Sequence, residues 1–345
     1  MKPTGVLMVG SVPGASPKEV MERLARALPG RLEAIPDGET GERWNYIGWQ
    51  LQRFPLVCRR DELGGTPVPE TGVPTFTLAD IEPTAYDEAA ISSYAEFKQL
   101  REQNIIPSDV RFQVCLPSPY SVLIGHLKPE VINVVEPFYE QRFIETLQHI
   151  AKVIPHDDVV IQWDLCFEMT GLEFDQGRLT DIWHRPYFSG DVLQGLVDRV
   201  ERLSDRIPGV RLAFHLCYGD LYHRHFIEPQ DTTLLVMLAN ALLARKTLGS
   251  RTEWIHLPVP KGRTDSDYFT PLNGLKLDNP GSKPHVYLGV VHANDEAGTK
   301  KRIEIAQNSV TFPFGVATEC GLGRTPPEEI DSILQICKEV TSEPL

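Results

Sequence analysis

His215 and Cys217 stand two residues apart in the run Val210–Cys217 (VRLAFHLC), and that spacing suits metal binding. On a strand, side chains at i and i+2 point to the same face, so an imidazole and a thiolate can reach one ion. Cys320 lies far along the chain, in Glu319-Cys320-Gly321, after another apolar run. If the fold brings it alongside, the three form a His/Cys/Cys set with one open position, a catalytic zinc arrangement. The plainer reading is one hydrogen-bonded histidine and two buried packing thiols. His256, in a third apolar run, is a further candidate ligand.

Asp37, Glu39 and Asp164 lie in or beside apolar runs. Burying a carboxylate is costly unless it meets a cation, a donor or a metal. These three, with Ser11 and Ser118, are therefore candidates to hold a substrate, the carboxylates by its amino group; for Asp37 the competing reading is an ion pair with Arg43 or a turn cap. His292 is a candidate general acid, the alternative being a helix-start residue that faces solvent. Gly321-Leu322-Gly323-Arg324 can form an anion-binding turn. Trp44, Tyr46 and Trp49 can stack on a flat ligand or pack a helix, and His223 and His225 read as solvated loop residues, with metal ligation as the alternative.

Something must bring these scattered residues together, and the alternation of elements supplies it. Eight short β-rich runs occur, at Val6–Gly10, Leu32–Pro36, Arg111–Leu116, Val159–Leu165, Val210–Cys217, Glu253–Val259, His285–Val291 and Phe312–Thr318. Most are continuously apolar, as parallel strands covered on both faces are. Helical patterns separate them, at roughly 86–104, 130–153, 191–206, 231–247 and 296–309. Ser16-Pro17-Lys18-Glu19 and Thr325-Pro326-Pro327-Glu328 both read as capping boxes with proline at the helix start. The pattern predicts an α/β fold, a (β/α)8 TIM barrel spanning residues 1–345 as one domain, with an open doubly wound sheet as the alternative. Long loops are expected at about 55–80, 167–189 and 258–284. In a barrel the chemistry sits at the carboxyl ends of the strands, where all the residues named above fall.

The chain has 345 residues, 41% of them apolar, enough to bury a large core. Its 47 acidic and 34 basic side chains give a net charge of −13, which argues against nucleic acid or an anionic membrane as partner. No signal-peptide pattern is visible, and the apolar run near 234–244 is too short to span a bilayer. Six cysteines without a CxxC pair make no disulfide framework, so a reducing cytoplasm is the expected compartment.

Taken in order, these residues resemble the carboxyl-terminal catalytic barrel of cobalamin-independent methionine synthase, within the methionine synthase and uroporphyrinogen decarboxylase-like superfamily. Gly10-Ser11-Val12-Pro13 resembles the family's Gly-Ser-Phe-Pro, and Asp37-Gly38-Glu39 its Asp/His-Gly-Glu. Gln162-Trp163-Asp164 is similar to Gln-Ile-Asp, His215-Leu216-Cys217-Tyr218 to His-Met-Cys-Tyr, and Cys320-Gly321-Leu322 to Cys-Gly-Leu. The resemblance implies zinc on His215, Cys217 and Cys320. It also implies an amino-acid substrate gripped by Glu39 and Asp164, and catalytic roles for His292 and Asp164. Two departures stand out. The family's fourth zinc ligand is a glutamate, and the matching place here is about Pro258, which cannot ligate. Strand four continues Asp-Leu-Cys-Phe-Glu where the family has Asp-Glu-Pro-Ala, and the synthase's amino-terminal second barrel has no counterpart among these residues.

The leading expectation is a zinc-dependent methyl (alkyl) transferase acting on a thiol, with a thiol amino acid and a methyl donor as small-molecule partners. A second is a lyase, decarboxylase or isomerase of the uroporphyrinogen decarboxylase-like kind, using zinc as a Lewis acid or no metal. A third is a non-catalytic protein that binds zinc or a small molecule.

Overall fold

The computed structural model describes residues 2–45, 47–219, 224–278 and 281–342. Its strands are β1 (Val6–Leu7), β2 (Ala34–Pro36), β3 (Arg111–Pro117), β4 (Val159–Leu165), β5 (Arg211–Leu216), β6 (Thr252–Pro258), β7 (His285–Val291) and β8 (Gly315–Thr318). They form one parallel eight-stranded sheet in the order β1-β8-β7-β6-β5-β4-β3-β2. Pairing of β1 with β8 brings the two ends of the sheet round. The remaining seam, between β1 and β2, is bridged at Ser11 and Gly38, where the Val12 N–H donates to the Gly38 carbonyl at 2.9 Å. This is the α/β TIM barrel that the alternation predicts.

Local chemistry explains the surrounding helices. Ser16 caps Pro17–Ala27 by accepting the Glu19 N–H at 3.2 Å, and Val20, Met21 and Leu24 turn onto the sheet. Helices Tyr86–Glu102, Pro129–Val153, Val192–Ser204, Thr233–Ala244, Glu296–Ser309 and Ile330–Val340 complete most of the outer ring. None of the helices among the described residues is long and apolar enough to cross a membrane.

Leu7, Val9, Ala34, Val160, Ala213, Trp254, Tyr287 and Ala317 pack together as one inner cluster, apart from the larger core formed with the helices. Two glutamines reinforce it. Gln113 Nε2 donates to the Met8 carbonyl at 3.1 Å and Gln162 Nε2 to the Val9 carbonyl at 2.6 Å, while Trp254 Nε1 donates to Gln162 Oε1 at 3.0 Å. These bonds satisfy carbonyls of β1 and its extension that would otherwise be buried without partners.

Nearer the carboxyl ends, register sets Asp164, His215 and His256 side by side on β4 to β6, with Tyr287 of β7 as the next partner of His256. At Gly289 a Cβ would lie 2.8 Å from the Glu319 Cα and 2.9 Å from the Thr318 carbonyl oxygen. Only a residue without a side chain lets the end of β8 approach so closely.

The expected loop 55–80 holds three 3-10 turns, and the described residues of 258–284 hold only the short turns Ser266–Phe269 and Thr270–Gly274 where a sixth helix would sit. Residues 167–189 differ from expectation. Their first half is a helix, Phe167–Asp175, whose Met169 and Leu172 are buried.

Candidate metal centre

His215 is the penultimate residue of β5, Cys217 follows the strand directly, and Cys320 lies two residues past β8. The fold brings the three together. Cys217 Sγ and Cys320 Sγ are 3.5 Å apart, Cys320 Sγ is 3.7 Å from His215 Nε2, and all three ligand atoms lie within 4.8 Å of one another. Ligand bonds of about 2.3 Å to sulfur and about 2.0 Å to nitrogen, at tetrahedral angles, put neighbouring ligand atoms about 3.5–3.8 Å apart. The two close contacts match that spacing. His215 and Cys217 are buried and Cys320 half-buried.

A hydrogen-bond chain fixes which face of His215 meets the other two. His256 Nε2 lies 3.0 Å from the Thr318 carbonyl oxygen, and His256 Nδ1 lies 2.7 Å from His215 Nδ1. A carbonyl only accepts, so His256 Nε2 carries the proton. Burial pushes His256 down to about 3, so the ring is neutral and its Nδ1 has a bare lone pair. His215 Nδ1 must then be the donor, which leaves His215 Nε2 unprotonated and facing Cys320. Both nitrogens of His256 are thereby engaged. It stands behind His215 rather than among the clustered ligand atoms, and Pro258 offers no donor.

The Cys217 thiol is held well above its ordinary value, first by a hydrogen bond with the Cys166 thiol and also by burial, against the contact with Cys320. The Gly219 N–H, 3.2 Å from Cys217 Sγ, also favours the thiolate. Two thiolates this close and this dry need a cation between them, and a divalent ion supplies that charge. The donor set therefore fits zinc.

A second group of ionisable residues lies among the early strand ends. Burial, and then the neighbouring Asp37 carboxylate, push Glu39 up to about 8 against the pull of Arg43 and Arg324. Asp164 is raised well above the carboxylate range by burial and by Glu39, although Gln162 Nε2 donates to its Oδ1 at 2.8 Å. Glu39 also adopts a left-handed φ of 50°, secured by its N–H bond to Asp37 Oδ1 at 2.9 Å. Such backbone strain costs about 1–3 kcal/mol and concentrates at functional positions. Asp37 itself is spent internally, on Arg43 at 2.7 Å and Ser93 Oγ at 2.7 Å.

The two serines hold loops. Ser11 Oγ accepts the Gly323 N–H at 3.1 Å, and the Ser11 carbonyl accepts the Leu322 N–H at 2.6 Å, so Ser11 fastens the turn that carries Cys320. Those bonds occupy N–H groups of the Gly321–Arg324 turn that an anion would need. Ser118 Oγ accepts the Ser121 N–H at 2.9 Å and donates to Glu168, a carboxyl that burial raises to about 7.

A cavity of about 310 Å³ opens beside Cys320, with Gly219, His225, Lys261, His292 and Glu319 in its wall. His292 Nε2 donates to the Val259 carbonyl at 3.0 Å, which leaves Nδ1 facing Glu319 Oε2 at 3.9 Å; burial lowers its pKa. His225, which reads as a solvated loop residue, has a side chain only 9% exposed. Its Nε2 lies 2.9 Å from Glu319 Oε1, and although burial opposes the charge, Glu319 and Glu228 hold the imidazole up at about 9. No local pattern joins His225 to Glu319, so sequence reasoning missed this pair. Trp49 packs edge-on against Tyr86 and Trp44 is exposed. Tyr46 and His223 lie outside the described residues.

The same overall fold occurs in a solved B12-independent methionine synthase. That protein, from Shewanella sp. W3-18-1 in complex with selenomethionine, superposes with a TM-score of 0.54 at 14% identity, covering 98% of this chain and 96% of that one. At that identity the likeness establishes the shared barrel. No protein-family model matches the chain, and no curated protein sequence matches it.

Proposed function

We propose that the chain is a zinc-dependent methyl (alkyl) transferase that activates the thiol of a small molecule, residues 1–345 acting as one domain in a reducing cytoplasm. The observation that carries this reading is the meeting of His215, Cys217 and Cys320, with ligand spacing that suits zinc and a cavity at their side. Zinc held by these three would lower the pKa of a substrate thiol and present it as thiolate, the nucleophilic form.

The protein's own groups do the rest. Glu39 and Asp164 share a buried site short of positive charge, since Arg43 is committed to Asp37 and the pull of Arg43 and Arg324 leaves Glu39 raised. An ammonium group answers that deficit, so the pair holds the amino end of a thiol amino acid and orients its sulfur. Asp37, Ser11 and Ser118 position this site rather than touch the substrate. The methyl donor would occupy the cavity beside Cys320, where His292, its Nε2–H held on the Val259 carbonyl, takes up a proton at Nδ1 and passes it to the leaving group. The solved barrel that shares this fold was captured with selenomethionine, which supports an amino-acid ligand here.

The raised carboxyls favour one alternative. Glu39, protonated near neutral pH, suits acid–base work in a lyase, decarboxylase or isomerase. Incubating the protein with a panel of thiols and methyl donors separates the two. Methylated thiol should form with the wild type and not with Cys217→Ser or Cys320→Ser, and zinc should leave both variants. Turnover that survives in both, or turnover of a non-thiol metabolite alone, rejects the transferase.

A further inference from the structure

We propose that Cys166 is a third sulfur ligand of the metal centre and fills, in the resting protein, the coordination position that His215, Cys217 and Cys320 leave open. The inference rests on the zinc reading above and deepens it, since that reading leaves the fourth position unassigned.

Register supplies the first argument. β4 and β5 pair Asp164 with His215 and Leu165 with Leu216, and the Cys217 N–H then donates to the Leu165 carbonyl at 3.0 Å. The ladder thus reaches the last residue of β4 and runs one step past β5, and Cys166 and Cys217 each follow directly on these paired strand ends. Residues that alternate inward on β4 are Gln162 and Asp164, so Cys166 is next on that face. Contact supplies the second. The Cys166 thiol lies close enough to the Cys217 thiol to raise its pKa, and Cys166 is only 5% exposed. It precedes the helix Phe167–Asp175 without capping it, which leaves its side chain without a structural duty there.

The other candidates are spent. Pro258 cannot ligate, both nitrogens of His256 are engaged, and Asp164 accepts from Gln162. Cys115 lies with Gln113, Gln162 and the Val9 carbonyl. Among the described residues, Cys166 is the thiol beside Cys217 that stands outside the cluster. It stands outside the group held within 4.8 Å, so the proposal requires its side chain to turn toward the other three when the ion binds.

A four-coordinate ion with three sulfurs and one nitrogen is closed, and closed sites do not take substrate. With zinc held there, an incoming substrate thiol would have to exchange with Cys166. One zinc–sulfur bond would break as another formed, and the substrate's S–H proton would leave on the Cys166 thiol, so charge balances. Cys166 would thereby keep water off the metal until a thiol arrived.

X-ray absorption at the zinc edge counts the ligands directly in the zinc-loaded protein without substrate. The expected wild-type shell is three sulfurs at about 2.3 Å and one nitrogen, and Cys166→Ala should lose one sulfur and gain a light atom. Cobalt(II) in place of zinc gives a second reading, through sulfur-to-metal charge-transfer intensity that falls from a three-thiolate to a two-thiolate level. Should the variant fail to fold, the wild-type sulfur count decides alone. Zinc with two sulfurs overturns this inference and leaves the metal reading intact; protein that takes up no zinc overturns both.

Discussion

Replacing Glu39 with glutamine should stabilise the ligand-free protein at alkaline pH, a result opposite to that of most buried substitutions. Burial and the Asp37 carboxylate raise Glu39 from its ordinary 4.5 to about 8. A carboxyl whose pKa is raised in the native state favours folding while protonated in both states. That contribution is complete below the unfolded value near 4.5 and is lost as pH rises through about 8. A shift of this size corresponds to on the order of 5 kcal/mol at full ionisation, and the coulombic coupling of Asp164 to Glu39 reduces the part that belongs to Glu39 alone, leaving roughly 2–4 kcal/mol. Urea unfolding of wild type and Glu39→Gln across pH 5 to 9 measures it as a difference, so that other titrating groups cancel. The two proteins should be close in stability at pH 5, with the variant gaining steadily to pH 9. A variant less stable than wild type by the same amount at every pH would refute the reasoning, since Glu39 would then be an ordinary satisfied carboxylate.

Two further outcomes follow from the hydrogen bonds around the centre. His256→Phe removes the acceptor that keeps the proton on His215 Nδ1; nitrogen NMR should show His215 as a mixture of tautomers, and zinc affinity should fall roughly 10–100-fold, the usual cost of losing such a partner. Glu319→Gln should bring His225 down from about 9 toward 6.5, read by proton NMR titration. Because a raised imidazole favours folding below 6.5 and that gain is lost as pH rises through about 9, the variant should be the less stable protein below neutrality and match wild type above pH 9.

The barrel was legible because its strands are nearly continuous apolar runs, and Val159–Leu165 and His285–Val291 end where the runs do. β1 is shorter than the run Val6–Gly10 suggests, for a physical reason. The carbonyls of Met8 and Val9 take side-chain donors, Gln113 and Gln162, in place of a neighbouring strand. β8 starts late because Pro313 has no N–H to give to a ladder. The helix Phe167–Asp175 was hidden by Gly171, a poor helix former. There a Cβ would come within 2.8 Å of the Tyr120 hydroxyl, so glycine is required by packing.

Within the site, the HxC spacing of His215 and Cys217 was visible because a strand repeats every two residues. Other roles depend on partners far away in sequence. His256 answers to Thr318 and His215, His225 to Glu319, and Cys166 to Cys217, and each pairing depends on strand register or loop packing that no local pattern encodes. Asp37 illustrates the same limit. Whether it grips substrate or Arg43 turned on where Arg43 and Ser93 come to lie, and both come to lie on Asp37.

Elemental analysis of the purified protein, paired with titration of its reactive thiols, tests the metal centre most directly. One zinc per chain is predicted, with Cys217 and Cys320 unreactive until a chelator removes the ion. Protein that stays metal-free after exposure to zinc, with both thiols modified at the rate of the unfolded chain, would contradict it.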